Sequence, residues 1–89
     1  MAFRQLTITT TAQQVAAQNT KRTALSVKNL GAVRVFVDND QSAIAAKGWY
    51  LDTGEGIVLT RQDGDDPELA LFALTSALTA DLRIQESFD

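Results

Sequence analysis

Apolar residues recur at every second position in three separate stretches of this chain: Leu25 and Val27; Val33, Val35 and Val37; Ala80, Leu82 and Ile84. Successive side chains leave a strand on opposite sides, so a period of two marks extended backbone with one face buried. Polar residues fill the alternate positions, as in Asp81, Arg83 and Gln85. A helix cannot bury such a pattern on one side, and the chain is therefore read first as strands.

The remaining segments fit that reading. Leu6-Thr7-Ile8-Thr9 is dense in β-branched residues and forms either a first strand or part of an extended arm over residues 1–11. In Thr11-Ala12-Gln13-Gln14-Val15-Ala16-Ala17 only Val15 is large and apolar, too little for a packing helix, so a short strand or irregular edge is expected. Asn29-Leu30-Gly31-Ala32 reads as a turn joining residues 22–28 and 33–37 into a hairpin. On the second of those strands Phe36 lies opposite the valines, with Arg34 and Asp38, and points away from the core unless a second layer covers it.

Asp38-Asn39-Asp40-Gln41-Ser42 is turn-forming, because Asn and Asp side chains bond nearby backbone. Ala43-Ile44-Ala45-Ala46 and Gly48-Trp49-Tyr50-Leu51 follow as short extended pieces, the first a strand or a turn. Thr53-Gly54-Glu55-Gly56 supplies a tight connection, Ile57-Val58-Leu59-Thr60 a strand, and residues 62–66 a solvated loop. Turn signals thus recur about every 8–12 residues, the spacing of a sandwich or barrel.

Residues 66–86 are the ambiguous part. Asp66 as N-cap, Pro67 at the first helical position and Glu68 beside the dipole favour a helix, as do the many Leu and Ala residues. Such a helix would be apolar on nearly every side, which suits the interior of a larger protein. As strands, Leu69, Leu71 and Ala73 share one face, Ala70, Phe72 and Leu74 the other, and a turn near Ser76 leads into the alternating segment 80–85. The strand reading, a closing hairpin, is preferred.

With 89 residues there is room for one domain and one core. A chain of this size buries only about 60–65% of its unfolded surface, and small domains gain stability from disulfides, metals or partners. Cysteine and histidine are absent, which removes a disulfide framework and a zinc ligand set and leaves association with other subunits, expected here as a homo-oligomer. No cofactor is expected. No apolar run approaches 18 residues and the N-terminus resembles no secretory signal, so a protein made in the cytoplasm with no membrane partner is expected. The formal charge of −3 and scattered Lys and Arg disfavour nucleic acid.

Nucleophile–base catalysis lacks its usual His and Cys, and no enzyme is expected. Asp63, Asp65, Asp66 and Glu68 offer oxygen ligands, but their spacing fits no EF-hand loop and reads as a solvated acidic turn. Trp49-Tyr50 can serve as an aromatic platform for a sugar, or place one ring in the core and one at an edge. A strand apolar on both faces, as over 69–74, asks for a second partner or for a covering loop.

One wider pattern joins these pieces. Val15-Ala16-Ala17-Gln18-Asn19, Arg22, Leu25-Ser26-Val27-Lys28-Asn29, Val35-Phe36-Val37, Gly48-Trp49-Tyr50-Leu51-Asp52-Thr53-Gly54-Glu55, Leu71-Phe72-Ala73 and Ala80-Asp81-Leu82-Arg83-Ile84 resemble, in order and spacing, a family of small all-β proteins of tailed bacteriophages. The similarity spans about residues 12–86. It implies strands over 69–86 and a structural role in decorating, cementing or attaching to virions, with no catalytic residue to carry over.

The resulting expectation is an all-β, single-domain antiparallel β-sandwich or small jelly roll of about seven or eight short strands. Its role is that of a virion structural protein whose partners are the major capsid protein or other virion subunits. A tail, neck or fibre component and a carbohydrate-binding adhesion module are the alternatives. Leu6, Ile8, Phe36, Trp49, Tyr50 and Phe72 are the candidate contact residues, because aromatic and large apolar anchors dominate interface energies.

Overall fold

The computed structural model describes residues 2–41 and 49–89. Eight strands run in chain order: β1 (Ala2–Ile8), β2 (Gln13–Ala16), β3 (Arg22–Asn29), β4 (Val35–Asp38), β5 (Trp49–Leu51), β6 (Gly56–Thr60), β7 (Leu71–Thr75) and β8 (Ala80–Phe88). A 3-10 turn, Arg61–Asp63, follows β6. The strands form two four-stranded antiparallel sheets, ordered β1-β8-β3-β6 and β2-β7-β4-β5. The expected all-β sandwich is the fold of this chain.

The strand order has a simple rule. Strand one pairs with eight, two with seven, three with six and four with five. The chain is therefore one long antiparallel ribbon closed at β4–β5, and its successive pairs lie alternately in one sheet and the other. That wrapping of eight strands into two sheets is the jelly roll.

This topology corrects two expectations. Residues 22–28 and 33–37 do not form a hairpin: β3 pairs with β6 and β8, whereas β4 lies in the other sheet between β5 and β7. The strands of 69–86 do not pair with each other either, since β7 joins β4 and β2 while β8 runs between β1 and β3. Both segments are extended, and both connections cross from sheet to sheet.

At the first crossing Asn29 is fully buried; its Nδ2 donates to Val33 O at 2.8 Å and Leu51 O at 2.9 Å, and its Oδ1 accepts from Gly31 N at 2.9 Å. These bonds hold the chain in the bend instead of a two-strand turn. At the second, Thr75 Oγ1 donates to Leu78 O at 2.7 Å, and Leu78 adopts φ 59°.

The core lies between the sheets and contains Ile8, Val15, Leu25, Val27, Val35, Val37, Leu51, Leu71, Leu82 and Ile84, with Ala16, Ala73 and Ala80. The alternating residues identified from sequence are its main contributors. Of Trp49-Leu51 only Leu51 is buried, while residues 43–46, expected as a strand or turn, lie outside the described residues.

Residues 66–70 do not start a helix, and carbonyls of the segment are engaged elsewhere. The guanidinium of Arg22, only 1% exposed, donates from Nε to Pro67 O at 2.7 Å and from Nη2 to Leu69 O at 2.9 Å. Asn19 N donates to Glu68 O at 2.8 Å. These bonds tie the segment to β3 and the loop before it in its non-helical course.

Candidate interaction surfaces

The outer face of the sheet β2-β7-β4-β5 carries the aromatic residues singled out from sequence. Because Val35 and Val37 turn inward, Phe36 must turn outward. In register with it are Leu74 on β7 and Tyr50 on β5, so the three form a row across the sheet. Phe72, opposite Asp38 and Gln14, adds a second position on that face. Phe36, Phe72 and Leu74 are half-buried and Tyr50 is 48% exposed. The apolar outer face of β7, inferred from its two-sided pattern, is thus open among the described residues.

The rings are held in place. Phe36 and Tyr50 meet edge to face, with centroids 6.3 Å apart and planes at 66°. The Arg34 guanidinium lies 4.0 Å from the centre of the Tyr50 ring and donates to Asp52 from Nε at 2.7 Å and from Nη2 at 3.3 Å. The hydrogen bond to Asp52 raises the pKa of Arg34, which keeps it cationic. An apolar row with a charged, hydrogen-bonded margin has the layout of a protein–protein contact, an apolar centre inside a polar rim.

Trp49 is next to Tyr50 but leaves β5 on the opposite side, the side of Leu51. There it is 70% exposed, because β5 and β6 are both edge strands at the same flank of the sandwich. The seam between them holds two crevices. One, ≈ 420 Å³, is lined by Val37, Asp38, Asn39, Trp49, Ile57 and Leu71, with Leu59. The other, ≈ 540 Å³, reaches from Trp49 and Tyr50 to Glu55 and Ile57.

The N-terminal candidates lie elsewhere. Ile8 is fully buried and belongs to the core, so it offers a partner no surface; the alternation that made it conspicuous was that of a core position. Leu6 is half-buried and packs against the same core. Phe36, Tyr50 and Phe72 are therefore brought together, Trp49 borders them, and Leu6 and Ile8 are not part of that surface.

A shallow groove, ≈ 590 Å³, crosses the outer face of the other sheet. Its ridges are Phe3, 73% exposed, and Val58, 63% exposed, with Gln85 and Ser26 in register between them. Lys28 and Arg83 stand side by side on adjacent strands, and Arg83 donates to both carboxylate oxygens of Asp81 at 3.0 Å. Phe3 and Val58 were not singled out in the sequence, and Leu74 was placed on the second apolar face of its strand but not among the contact residues. Val58 and Leu74 were legible in principle, each being the odd member of a strand whose neighbours face inward.

Among the described residues no three His, Cys, Asp or Glu side chains are grouped to hold a metal. Two acidic residues of the loop after β6 fix Thr60 instead: Asp65 Oδ2 accepts from Thr60 N at 3.1 Å and Asp63 Oδ2 from Thr60 Oγ1 at 2.7 Å. No helix among the described residues is long and apolar enough to cross a membrane.

The fold and its surfaces define a small jelly-roll β-sandwich with an unpartnered aromatic sheet face. Comparison with protein-family models, with curated proteins and with solved structures finds no match for the chain.

Proposed function

We propose that this protein is a non-enzymatic structural component of a bacteriophage virion that attaches to the capsid exterior through the outer face of β2-β7-β4-β5. The observation that carries the attachment is the row Leu74, Phe36 and Tyr50 with Phe72. These residues lie on the outer face of a sheet whose inner face forms the core, so part of their apolar area is left open to a partner. The phage assignment rests on the sequence resemblance alone. Jelly rolls serve coat proteins, lectins and enzymes alike, and the fold does not choose among them.

The mechanism is adhesive. A repeated shell offers many equivalent sites, so a modest contact at each is reinforced when one molecule, or a homo-oligomer, touches neighbouring subunits. The formal charge of −3 suits the outside of a particle better than contact with packaged nucleic acid.

Electron microscopy of purified particles bearing the labelled protein tests this reading. Shell density is the expected result; a ring at the neck or density on the tail would assign it to those structures instead. Phe36→Ala and Phe72→Ala each remove a central anchor and are expected to weaken particle binding about 30-fold, the equivalent of about 2 kcal/mol, with unchanged circular dichroism. Unaltered binding by both variants refutes attachment through this face.

A further inference from the structure

We propose that the open seam between β5 and β6 is a binding site for a neutral saccharide, with a pyranose ring stacked on Trp49 and its hydroxyls on Asn39 and Glu55. The site is separate from the aromatic sheet face and its existence does not depend on the attachment role. Four observations converge on it.

Trp49 leaves β5 toward the core side yet stays exposed, because neither edge strand has a further neighbour among the described residues. A flat indole standing at the mouth of a crevice is a stacking surface, not a packing residue. The crevice beside it, ≈ 420 Å³, lies within the size range of small-ligand sites, about 300–1,000 Å³. Its floor is aliphatic, made by Val37, Ile57 and Leu71, and matches the C–H face of a sugar ring.

Its polar groups are few and fixed. Asn39 Nδ2 donates to Ala70 O at 2.8 Å, which leaves its amide oxygen for a ligand. Glu55, across Trp49, is held by Asp52 N donating to its Oε1 at 2.7 Å. Groups positioned before binding spare the ligand the cost of ordering them. The only charges lining the two crevices among the described residues are the carboxylates of Asp38 and Glu55. Carboxylates accept from hydroxyls and repel phosphate, sulfate and uronate, so anionic sugars are disfavoured and hydroxyl-bearing neutral ones fit.

Trp49 is the single tryptophan of the chain, so its emission reports this site directly. The intact protein is applied to an array of neutral and anionic oligosaccharides, and the strongest neutral ligand is then titrated by fluorescence and calorimetry. The expected result is a saturable change in emission. By calorimetry, Trp49→Ala should lose binding at least tenfold, Glu55→Gln should weaken it several-fold, and Phe36→Ala should leave it unchanged. Absence of any neutral ligand, binding that survives Trp49→Ala, or a response to the apolar dye anilinonaphthalene sulfonate but to no sugar would each overturn the proposal. The last result would mark the seam as a contact for an apolar protein segment. Particle binding through Phe36 is read separately, so failure of either idea leaves the other standing.

Discussion

Arg22 is the residue on which most of the irregular structure converges. Its guanidinium donates to the carbonyls of Pro67, Ala17 and Leu69 and to Glu86 Oε2 at 3.4 Å, and it is almost wholly buried. Glu86 also accepts from Arg4 Nε at 2.9 Å, and Arg4 Nη2 donates to Val15 O at 2.8 Å. One carboxylate and two guanidinium groups thus tie β1, β2, β3 and β8 to the segment before β7. A planar fork can reach several fixed carbonyls at once, whereas an ammonium cannot. Arg22→Met should therefore destabilise the fold by about 3–5 kcal/mol, because buried carbonyls and Glu86 lose their donor. Arg22→Lys should recover only part of that loss. Urea unfolding at equilibrium measures both; a midpoint for Arg22→Met within error of the parent would show the cluster to be dispensable. Nothing in the sequence marked Arg22 as buried. It opens β3 on the face opposite Leu25 and Val27 by strict alternation; a register shift between Arg22 and Ala24 accompanies its burial, and its role depends on carbonyls 45 and 47 residues away in the chain.

At the scale of elements, the sequence specified which residues face inward but not which strands are neighbours. Alternation in Leu25 and Val27 or in Val35 and Val37 is a property of each strand's own backbone, and those positions are core residues. Pairing is decided by the connections. Asn29-Leu30-Gly31 looks like a hairpin turn, yet the buried Asn29 side chain and the closeness of Gly31 to β8 carry the chain to the other sheet. A Cβ on Gly31 would lie 2.7 Å from both Cα and Cβ of Ala80. That distance is too short for any real contact, and one of the atoms is backbone. Gly31→Ala should accordingly force the crossing away from β8 and cost about 1–3 kcal/mol, the usual range for an overfilled site. Thermal unfolding should show a lower midpoint, and Leu30 N, which donates to Asp81 O at 2.9 Å, should exchange its proton faster. Equal stability of Gly31→Ala would mean that the crossing is loose. The same distinction explains the candidate surfaces. Phe36 was legible as outward-facing because one strand's alternation fixes it. The row it forms with Leu74 and Tyr50 was not, since that needs the strand order.

The whole molecule is a ribbon with one local closure, and this should govern how it folds. Ten residues separate the end of β4 from the start of β5, whereas seventy-one separate β1 from β8. Loop-closure entropy alone makes the second pairing about 1.7 kcal/mol harder to initiate. The β4–β5 pair should therefore form early and the β1–β8 pair late, with folding overall in the slow range of non-local β topologies, milliseconds to seconds. Leu51 and Ile8 separate the two events, being core residues of β5 and β1 respectively. Leu51→Ala should lose most of its stability through slower folding. Ile8→Val, which removes one methylene and costs about 1 kcal/mol, should leave the folding rate nearly unchanged and speed unfolding about fivefold. Stopped-flow chevrons of the two variants measure the partition. If Ile8→Val slows folding in proportion to its instability while Leu51→Ala acts only on unfolding, the ends of the ribbon meet first and closure at β4–β5 is not the nucleus.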